Sequence, residues 1–213
     1  MALFGYAHVP WMKKHQKLLE VHKLPNSKER MEMAEHAKNM LIQSGYVDIG
    51  LDHFALPEDE LTKALQKNEL KRNFQGYTTD NATTLLAFGA SSIGKLPEGY
   101  VQNKTSVKAY VESINAFALA TEKGFELSSE DKMRAEMISE LMCHYRLDFS
   151  KYPNPLNWRA EREKLQAMEK DGLLVLKEGI VFLTNKGKPW VRVVSSIFDT
   201  YFTLDLGKYS KAV

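Results

Sequence analysis

The chain has 213 residues, of which 44% are hydrophobic and 26% charged, and its formal net charge is +2. This composition is that of a globular protein with one large domain or two small ones, and the near-neutral charge gives no general support for nucleic-acid binding. The single cysteine, Cys143, excludes an internal disulfide and favours a reducing, cytoplasmic compartment. No apolar run approaches the roughly 20 residues that a bilayer-spanning helix needs, so no membrane partner is expected.

The chain opens on a segment that predicts a buried strand, "ALFGYAHV" at residues 2–9. A core strand directly at the start has two interpretations: it is simply the first strand of its sheet, or Met1 begins a fragment. Helices are predicted next at residues 11–21 and 26–44, the second with a capping box between Asn26 and Glu29. "YVDIGLDHFAL" then predicts another strand, and this order indicates a βαβ-type crossover in a parallel sheet.

Residues 57–104 are less regular. Pro57 opens a helix with an acidic first turn. The stretch "LKRNFQGYTT", residues 70–79, has neither the alternation of a strand nor the stripe of a helix. The following "TTLLAFGASSIG" resembles a strand but is rich in small residues, and "LPEGYVQNK" reads as turn and loop.

A helical half begins near Thr105. It is predicted to contain a helix with one apolar face (Val107, Tyr110, Val111, Ile114, Phe117), two further helices, a hairpin turning at residues 177–179, and a last helix with Pro189 in its first turn. The order helix, helix, hairpin is that of a winged-helix unit. We therefore expect two domains, residues 1–104 and 105–213.

The charged side chains give little support for other functions. The predicted helix at residues 157–172 carries four basic and four acidic residues, so the winged-helix unit is expected to pack against protein and not to bind DNA. The six histidines show no metal-binding spacing, and neither a metal site nor a catalytic residue is assigned to this chain. Asp52 and His53 could form a catalytic pair or be structural.

Residues 70–94 form the one candidate ligand site. Lys71 and Arg72 are cationic, Phe74 is aromatic, Gln75 carries an amide, and Gly76 allows a tight backbone. Such a set can stack on and hydrogen-bond a planar or nucleoside-like ligand. The alternative is a polar surface loop.

Several motifs carry a resemblance to a known family. The segments "FGYAHVP", "SGYVDIGLDHFALPEDEL", "RNFQGYTT", "AFGASSIG", "GYVQN", "LSSEDKMRAEMISELMC", "DGLL" and "FDTYF", in this order, resemble the C-terminal half of oxygen-independent coproporphyrinogen III oxidase. The family includes haem carriers, but "DHFALPEDEL" and "RNFQGYTT" differ from their pattern and resemble the oxidases.

The resemblance implies a radical S-adenosylmethionine enzyme of haem biosynthesis. Its fold would be an α/β three-quarter (β/α) barrel, of which this chain holds the final βα units, followed by a mostly helical domain. In the family, S-adenosylmethionine is cleaved reductively at a [4Fe-4S] cluster, and the resulting radical starts the decarboxylation of two propionates of coproporphyrinogen III to give protoporphyrinogen IX. The cluster cysteines lie in the N-terminal half. This chain has one cysteine, so we expect it to need that half as a partner and to be inactive alone.

Carried over residue by residue, the family's second S-adenosylmethionine site corresponds to Ala7, Phe74, Gln75 and Ile93. We add Lys71 and Arg72, whose charges could hold substrate propionates or simply be solvated. A second hypothesis is a stand-alone, non-catalytic binder of haem or another tetrapyrrole, or an interaction module. An exposed opening strand would also allow a non-native dimer.

Overall fold

The computed structural model describes residues 1–152 and 158–202, which form two compact units. The first unit comprises residues 1–70 with the described residues 200–202, and the second comprises residues 71–199. Both helices and strands occur throughout, so the fold is mixed α/β. One sheet of the second unit takes strands from either side of residue 104, and the expected domain boundary there stays a prediction.

The first unit contains two helices and one hairpin. Its elements are α1 (Ser27–Gln43), β1 (Val47–Gly50), β2 (His53–Ala55) and α2 (Glu60–Gln66), preceded by a 3-10 helix (Lys14–Val21). The predicted capping box of α1 is confirmed: the Asn26 side chain accepts a hydrogen bond from the Glu29 N–H, and the Glu29 carboxylate accepts one from the Asn26 N–H. Gly45, at φ +88°, follows the helix in the left-handed region that favours glycine.

The predicted pairing of this unit was wrong in two respects. The single strand expected at "YVDIGLDHFAL" is an antiparallel hairpin, because the chain reverses at Leu51, which has a φ of +51°. Within the described residues the opening segment forms only one bridge, Ala2 to His53, and residues 1–7 are exposed. A strand without continuous neighbours is not stable in water, so "ALFGYAHV" does not form the expected core strand within the described residues.

The second unit begins with two antiparallel arrangements. Its first elements are β3 (Lys71–Asn73), β4 (Gly76–Thr78), β5 (Ile93–Leu96), β6 (Gly99–Asn103), α3 (Val107–Asn115) and β7 (Thr121–Glu126). Strands β3 and β4 form a hairpin, and β5, β6 and β7 form a sheet in that order.

Residues 84–126 differ most from the sequence prediction. The stretch "TTLLAFGASSIG" contributes a bridge from Leu85 to Lys95 and the start of β5, while "GYVQN", expected as loop, is the central strand β6. Helix α3 is present, but Val107, Val111 and Ile114 on its apolar face are 69%, 45% and 47% exposed. Its one buried side chain is Ser113, which accepts a hydrogen bond from Lys104 Nζ at 2.7 Å.

The remainder of the second unit contains helices around a small sheet. Its elements are α4 (Ser129–His144), β8 (Arg146–Asp148), α5 (Arg159–Lys170), β9 (Leu174–Lys177), β10 (Ile180–Leu183) and α6 (Val191–Ser195), with 3-10 helices at Phe149–Lys151, Lys188–Trp190 and Ser196–Phe198. The predicted hairpin β9–β10 is confirmed, and β8 adds a third strand beside β10. The winged-helix likeness stays a prediction.

The core of this part lies between α4, α5 and α6. Fully buried side chains of these helices and of the 3-10 helix Ser196–Phe198 lie there: Met137, Leu141, Leu165, Val191, Val194 and Phe198. Proline at position 189 lies in the first turn of the 3-10 helix that leads into α6, as expected. Among the described residues, no helix is long and apolar enough to cross a membrane.

Candidate functional site

The stretch predicted as a ligand loop forms a tight hairpin. Asn73 of β3 pairs with Gly76 of β4, which leaves Phe74 and Gln75 at the tip. The Asn73 side-chain oxygen accepts a hydrogen bond of 2.8 Å from the Gln75 N–H, and this bond fixes the turn. Gly76 has φ +132°, a conformation that favours glycine, so the sequence Asn-Phe-Gln-Gly suits this turn.

The two tip side chains are available to a ligand. The Phe74 side chain is 54% exposed, and Gln75 is exposed. The Phe74 ring meets Tyr100 of β6 edge-on, with ring centroids 5.1 Å apart and an interplanar angle of 85°. This contact connects the hairpin tip with the sheet and leaves part of the Phe74 ring open to solvent.

The register of the sheet brings Ile93 to the same surface. Tyr100 and Gln102 lie two residues apart on β6 and therefore on one face. Ile93 pairs directly with Gln102, and Lys95 pairs with Tyr100. Because opposite residues of an antiparallel pair project to the same face, Ile93 shares the face that Phe74 contacts. The structure thus brings together two of the predicted cofactor-binding residues, and Gln75 is next to one of them.

Tyr100 is partly buried at this point. Burial raises the pKa of its phenol above the ordinary value of 10.0. The group therefore stays neutral at physiological pH, and its hydroxyl can donate a hydrogen bond as well as accept one.

The hairpin β3–β4 is also attached to α4, through the face that carries Arg72 and Tyr77. The guanidinium of Arg72 lies over the Tyr77 ring at 5.1 Å, and the Tyr77 hydroxyl donates a buried hydrogen bond of 2.7 Å to the Met142 carbonyl. The Arg72 Nη1 atom is buried and has no hydrogen-bond partner within residues 1–152 and 158–202. Lys71, in contrast, is exposed on the other face of β3. The two residues expected to bind substrate therefore differ in environment.

Ala7 belongs to the first unit, whereas the other predicted site residues belong to the second. It is exposed, and its carbonyl accepts a hydrogen bond of 3.0 Å from the Gln16 side chain. In the same unit, His53 Nδ1 lies 3.1 Å from Asp52 Oδ1, and the Phe4 ring packs edge-on against His53 at 6.5 Å. His53 thus lies between a carboxylate and an aromatic ring, and a catalytic role of the pair stays a prediction.

The residues of this chain do not fit an iron–sulfur cluster. Cys143 is buried at the end of α4, and burial raises the pKa of its thiol, although Ser139, Arg72 and Lys71 act in the opposite direction. A protonated, buried thiol is a poor metal ligand, and a [4Fe-4S] cluster needs several thiolates. Within the described residues, no group of three potential ligands (His, Cys, Asp or Glu) could hold a metal ion.

The residues at the tip of the hairpin β3–β4 and on the neighbouring sheet face do fit a nucleoside-containing cofactor such as S-adenosylmethionine. The half-exposed Phe74 ring offers a stacking surface, Gln75 offers an amide donor and acceptor, and Ile93 offers an apolar contact. Tyr100 adds a neutral hydroxyl that the sequence analysis missed. The segment "GYVQN" could have indicated it, because its side chains alternate as in a strand and place Tyr100 and Gln102 on one face.

Comparison with known proteins shows similarity to one class of protein, the HemN-type radical SAM enzymes. Residues 127–190 match the model of the HemN C-terminal domain, so this part of the chain is similar to that domain. The solved structure of coproporphyrinogen III oxidase (HemN) from Escherichia coli, a radical SAM enzyme, superimposes with a TM-score of 0.87 at 34% identity. The match covers 94% of this chain and 48% of that protein.

The particular relatives are oxygen-independent coproporphyrinogen III oxidases. Those of Bradyrhizobium diazoefficiens and Cereibacter sphaeroides strain ATCC 17025 are 42% and 38% identical to this chain over its whole length. In each case the match covers 48% of the relative. The resemblance found in the sequence is therefore confirmed: the chain is homologous to these oxidases, and it spans about half the length of the curated relatives that it matches.

Proposed function

We propose that this chain supplies the C-terminal part of an oxygen-independent coproporphyrinogen III oxidase of haem biosynthesis. The complete protein would convert coproporphyrinogen III to protoporphyrinogen IX by oxidative decarboxylation, in the cytoplasm. The remaining part, with the cluster cysteines and the first strands of a (β/α) barrel, would be the partner of the chain. Residues 1–104 would complete the barrel, and residues 105–213 would form the helical domain.

The observation that carries this proposal is the common surface of Phe74 and Ile93. These residues are distant in sequence, yet the edge-on contact of Phe74 with Tyr100 and the pairing of Ile93 with Gln102 bring them to one sheet face. A polar tip beside an apolar and aromatic surface is suited to an adenosyl group with its polar substituents. Homology over the whole chain to oxidases supports the same assignment.

Each residue has a role in holding the ligands. Phe74 would stack on the adenine, Gln75 would hydrogen-bond the cofactor, and Ile93 would add an apolar contact. When bound, S-adenosylmethionine would supply the radical chemistry of this class of enzyme. Lys71, which is exposed, would attract a propionate of the substrate. Arg72, whose Nη1 is buried and whose guanidinium lies over the Tyr77 ring, would support the hairpin beside it.

Binding of S-adenosylmethionine to the purified chain tests the site. We expect calorimetry to show binding that is roughly tenfold weaker in Phe74→Ala, because a base–aromatic stack contributes about 1–3 kcal/mol. Phe182→Ala is the matched control, since Phe182 is 39% exposed on β10, which belongs to a different sheet from the hairpin β3–β4. An equal effect of both substitutions would contradict the assignment. Tight haem binding without any binding of S-adenosylmethionine would favour the non-catalytic tetrapyrrole binder.

A chimera tests the reaction. The half of the Bradyrhizobium diazoefficiens oxidase that this chain does not match would be joined to the chain, and formation of protoporphyrinogen IX would be assayed. We expect activity that is lost in the Phe74→Ala chimera and kept in the Phe182→Ala chimera. A folded chimera that carries its cluster but forms no product would refute the proposed function.

A further inference from the structure

Exposed apolar side chains are concentrated in residues 84–126. Eight large hydrophobic side chains of this segment are exposed, against three in residues 127–152 and 158–199. Five of the eight follow one another through helix α3 and the turn after it: Val107, Val111, Ile114, Phe117 and Leu119. We call these five side chains the α3 apolar surface. Large exposed apolar patches mark the places where a protein contacts a partner.

Helix α3 presents its apolar stripe to solvent. Val107, Val111 and Ile114 recur at the i, i+4 and i+7 positions of one helix face, and all three are exposed. Within α3, whose residues are all described, Ser113 is the one buried side chain, and it accepts a hydrogen bond from Lys104. A helix of nine residues depends on tertiary packing of its apolar face, and here that packing needs a partner.

Phe117 has a backbone conformation and an exposure that its own chain does not explain. It follows the last turn of α3 at φ +56°, in the left-handed region, and its N–H donates to the Ile114 carbonyl. Glycine is the usual residue at this position, because a side chain is strained there. The Phe117 ring is also fully exposed, so it packs against none of the described residues. A strained backbone under an exposed aromatic ring indicates an anchor for a partner, since aromatic anchors contribute much of the energy of an interface.

The charges of this segment favour a partner without a strong charge. Helix α3 carries two charged residues, Lys108 and Glu112, which pair with each other at 3.9 Å. Residues 104–126 as a whole contain three lysines and three glutamates, so no net charge would attract an anionic membrane or an acidic protein. Interfaces between permanently associated parts of a protein have this apolar character.

The length of the relatives identifies the partner. The matches to the oxidases take in the whole of this chain but only 48% of each relative. Because residues 127–190 match a C-terminal domain, the unmatched half of the relatives precedes the matched half. We propose that this preceding half of the full-length oxidase packs on the α3 apolar surface and receives the Phe117 ring in an apolar pocket. The inference rests on the proposed function, in which that half is the partner, and extends it by naming the surface that the partner contacts.

Hydroxyl-radical labelling of phenylalanine side chains tests the inference. It would compare the chain alone with the chimera that carries the unmatched half of the Bradyrhizobium diazoefficiens oxidase. Phe117 and Phe182 are both exposed in the chain. We expect the added half to reduce labelling of Phe117 several-fold and to leave labelling of Phe182 unchanged. Equal labelling of Phe117 in the two proteins would overturn the inference, and so would protection of Phe117 in the chain alone at rising concentration, which would assign the surface to a second copy.

Two substitutions separate a docking role from a role in folding. Phe117→Gly removes the ring and suits the left-handed backbone, so the chain alone should unfold in urea at an unchanged or higher midpoint, whereas the midpoint of the chimera should fall. Val111→Asp should lower the midpoint of the chimera more than that of the chain. Val193→Asp, at a comparably exposed valine of α6, should affect both proteins alike. Equal effects of Phe117→Gly on chain and chimera would contradict docking at this surface.

The outcomes distinguish this inference from the proposed function. If the chimera forms protoporphyrinogen IX while Phe117 is labelled as in the chain alone, the docking surface is wrong and the proposed function stands. If Phe117 is protected but a folded, cluster-bearing chimera forms no product, the docking surface stands and the proposed function fails.

Discussion

Phe74 and Tyr100 meet edge-on, with their ring centroids 5.1 Å apart, and this contact joins the hairpin β3–β4 to the sheet β5–β6–β7. The hairpin is also attached to α4 through the hydrogen bond from Tyr77 to the Met142 carbonyl. The tip that carries Gln75 is therefore held from two sides: by the sheet that bears Ile93, and by α4, the first helix of the HemN C-terminal match. Preorganisation of this kind lowers the entropic cost of ligand binding.

Substitution of Tyr100 tests whether the contact orients Phe74. We expect Tyr100→Leu to lower the affinity for S-adenosylmethionine several-fold, since the Phe74 ring loses an aromatic contact of about 0.5–1.5 kcal/mol that orders it. Tyr100→Phe keeps the ring and should retain more of the affinity. Calorimetry and urea unfolding would be measured together. Loss of binding only in proportion to a loss of folded protein would argue against an orienting role.

The glycines of the sheet give a prediction about its integrity. A Cβ at Gly99 would lie 2.0 Å from the Phe125 carbonyl oxygen, whereas a Cβ at Gly124 would lie 3.7 Å from the Tyr100 carbonyl oxygen. Gly99→Ala must therefore displace β7 from β6, and we expect it to reduce the free energy of unfolding by about 2 kcal/mol or more. Gly124→Ala should have an effect below about 1 kcal/mol. Urea unfolding compares the two, and similar midpoints would show that β7 is not paired as described.

The sequence was sufficient to predict those elements whose structure depends on residues close together in the chain. The cap of α1 depends on Asn26 and Glu29 alone, and the turn of β9–β10 depends on Glu178 and Gly179, both at positive φ. Strand β7 was missed because all of its residues are exposed, so no apolar alternation marks it. Its pairing depends on β6, which is distant in the chain.

The candidate site was predictable to a similar extent. Phe74 and Gln75 are predicted as site residues because a family motif contains them, and the Gly76 turn is readable from the residues. The contact of Tyr100 with Phe74 was not predictable, because it depends on the observed pairing register of β6. Side-chain contacts between segments that are far apart in sequence carry no local pattern, so sequence alone cannot supply them.

Arg134 is predicted to be the most sensitive charged residue of the helical core. It is 8% exposed, its Nη1 lies 3.0 Å from Glu161 Oε1, and its guanidinium lies 4.9 Å from the centre of the Trp158 ring. Arg134→Met would leave the mostly buried Glu161 carboxylate unpaired, which should cost about 3–5 kcal/mol of unfolding free energy. Glu161→Gln in the same chain should recover part of this loss.

An exposed ion pair on α5 provides the control for Arg134. The Arg159 side chain is 87% exposed and pairs with Glu163 at 3.1 Å, so Arg159→Met should change the unfolding free energy by less than about 1 kcal/mol. Denaturation with urea at one pH gives both values. Comparable small losses in the two variants would mean that burial of the Arg134–Glu161 pair has no energetic consequence.

His144 should contribute to acid sensitivity. Burial lowers the pKa of its imidazole below the ordinary value of 6.5; Lys71 and Lys151 lower it further, and Glu140 acts in the opposite direction. Its Nδ1 is buried and lacks a hydrogen-bond partner within the described part of the chain. The folded state therefore binds this proton less readily than the unfolded state. The contribution of His144 to stability is present above pH 6.5 and is lost as the pH falls through the folded-state pKa.

Unfolding of two glutamine variants over a range of pH measures this contribution. Between about pH 7.5 and about pH 5, His144→Gln should lose unfolding free energy less steeply than the unsubstituted chain, by up to the slope that one proton produces. His36→Gln, which removes an exposed histidine on α1, should follow the unsubstituted chain more closely. Because both variants lack one of the six histidines, a general effect of charge would change both slopes alike. Identical slopes for His144→Gln and the unsubstituted chain would show that His144 takes up its proton equally in the folded and unfolded states.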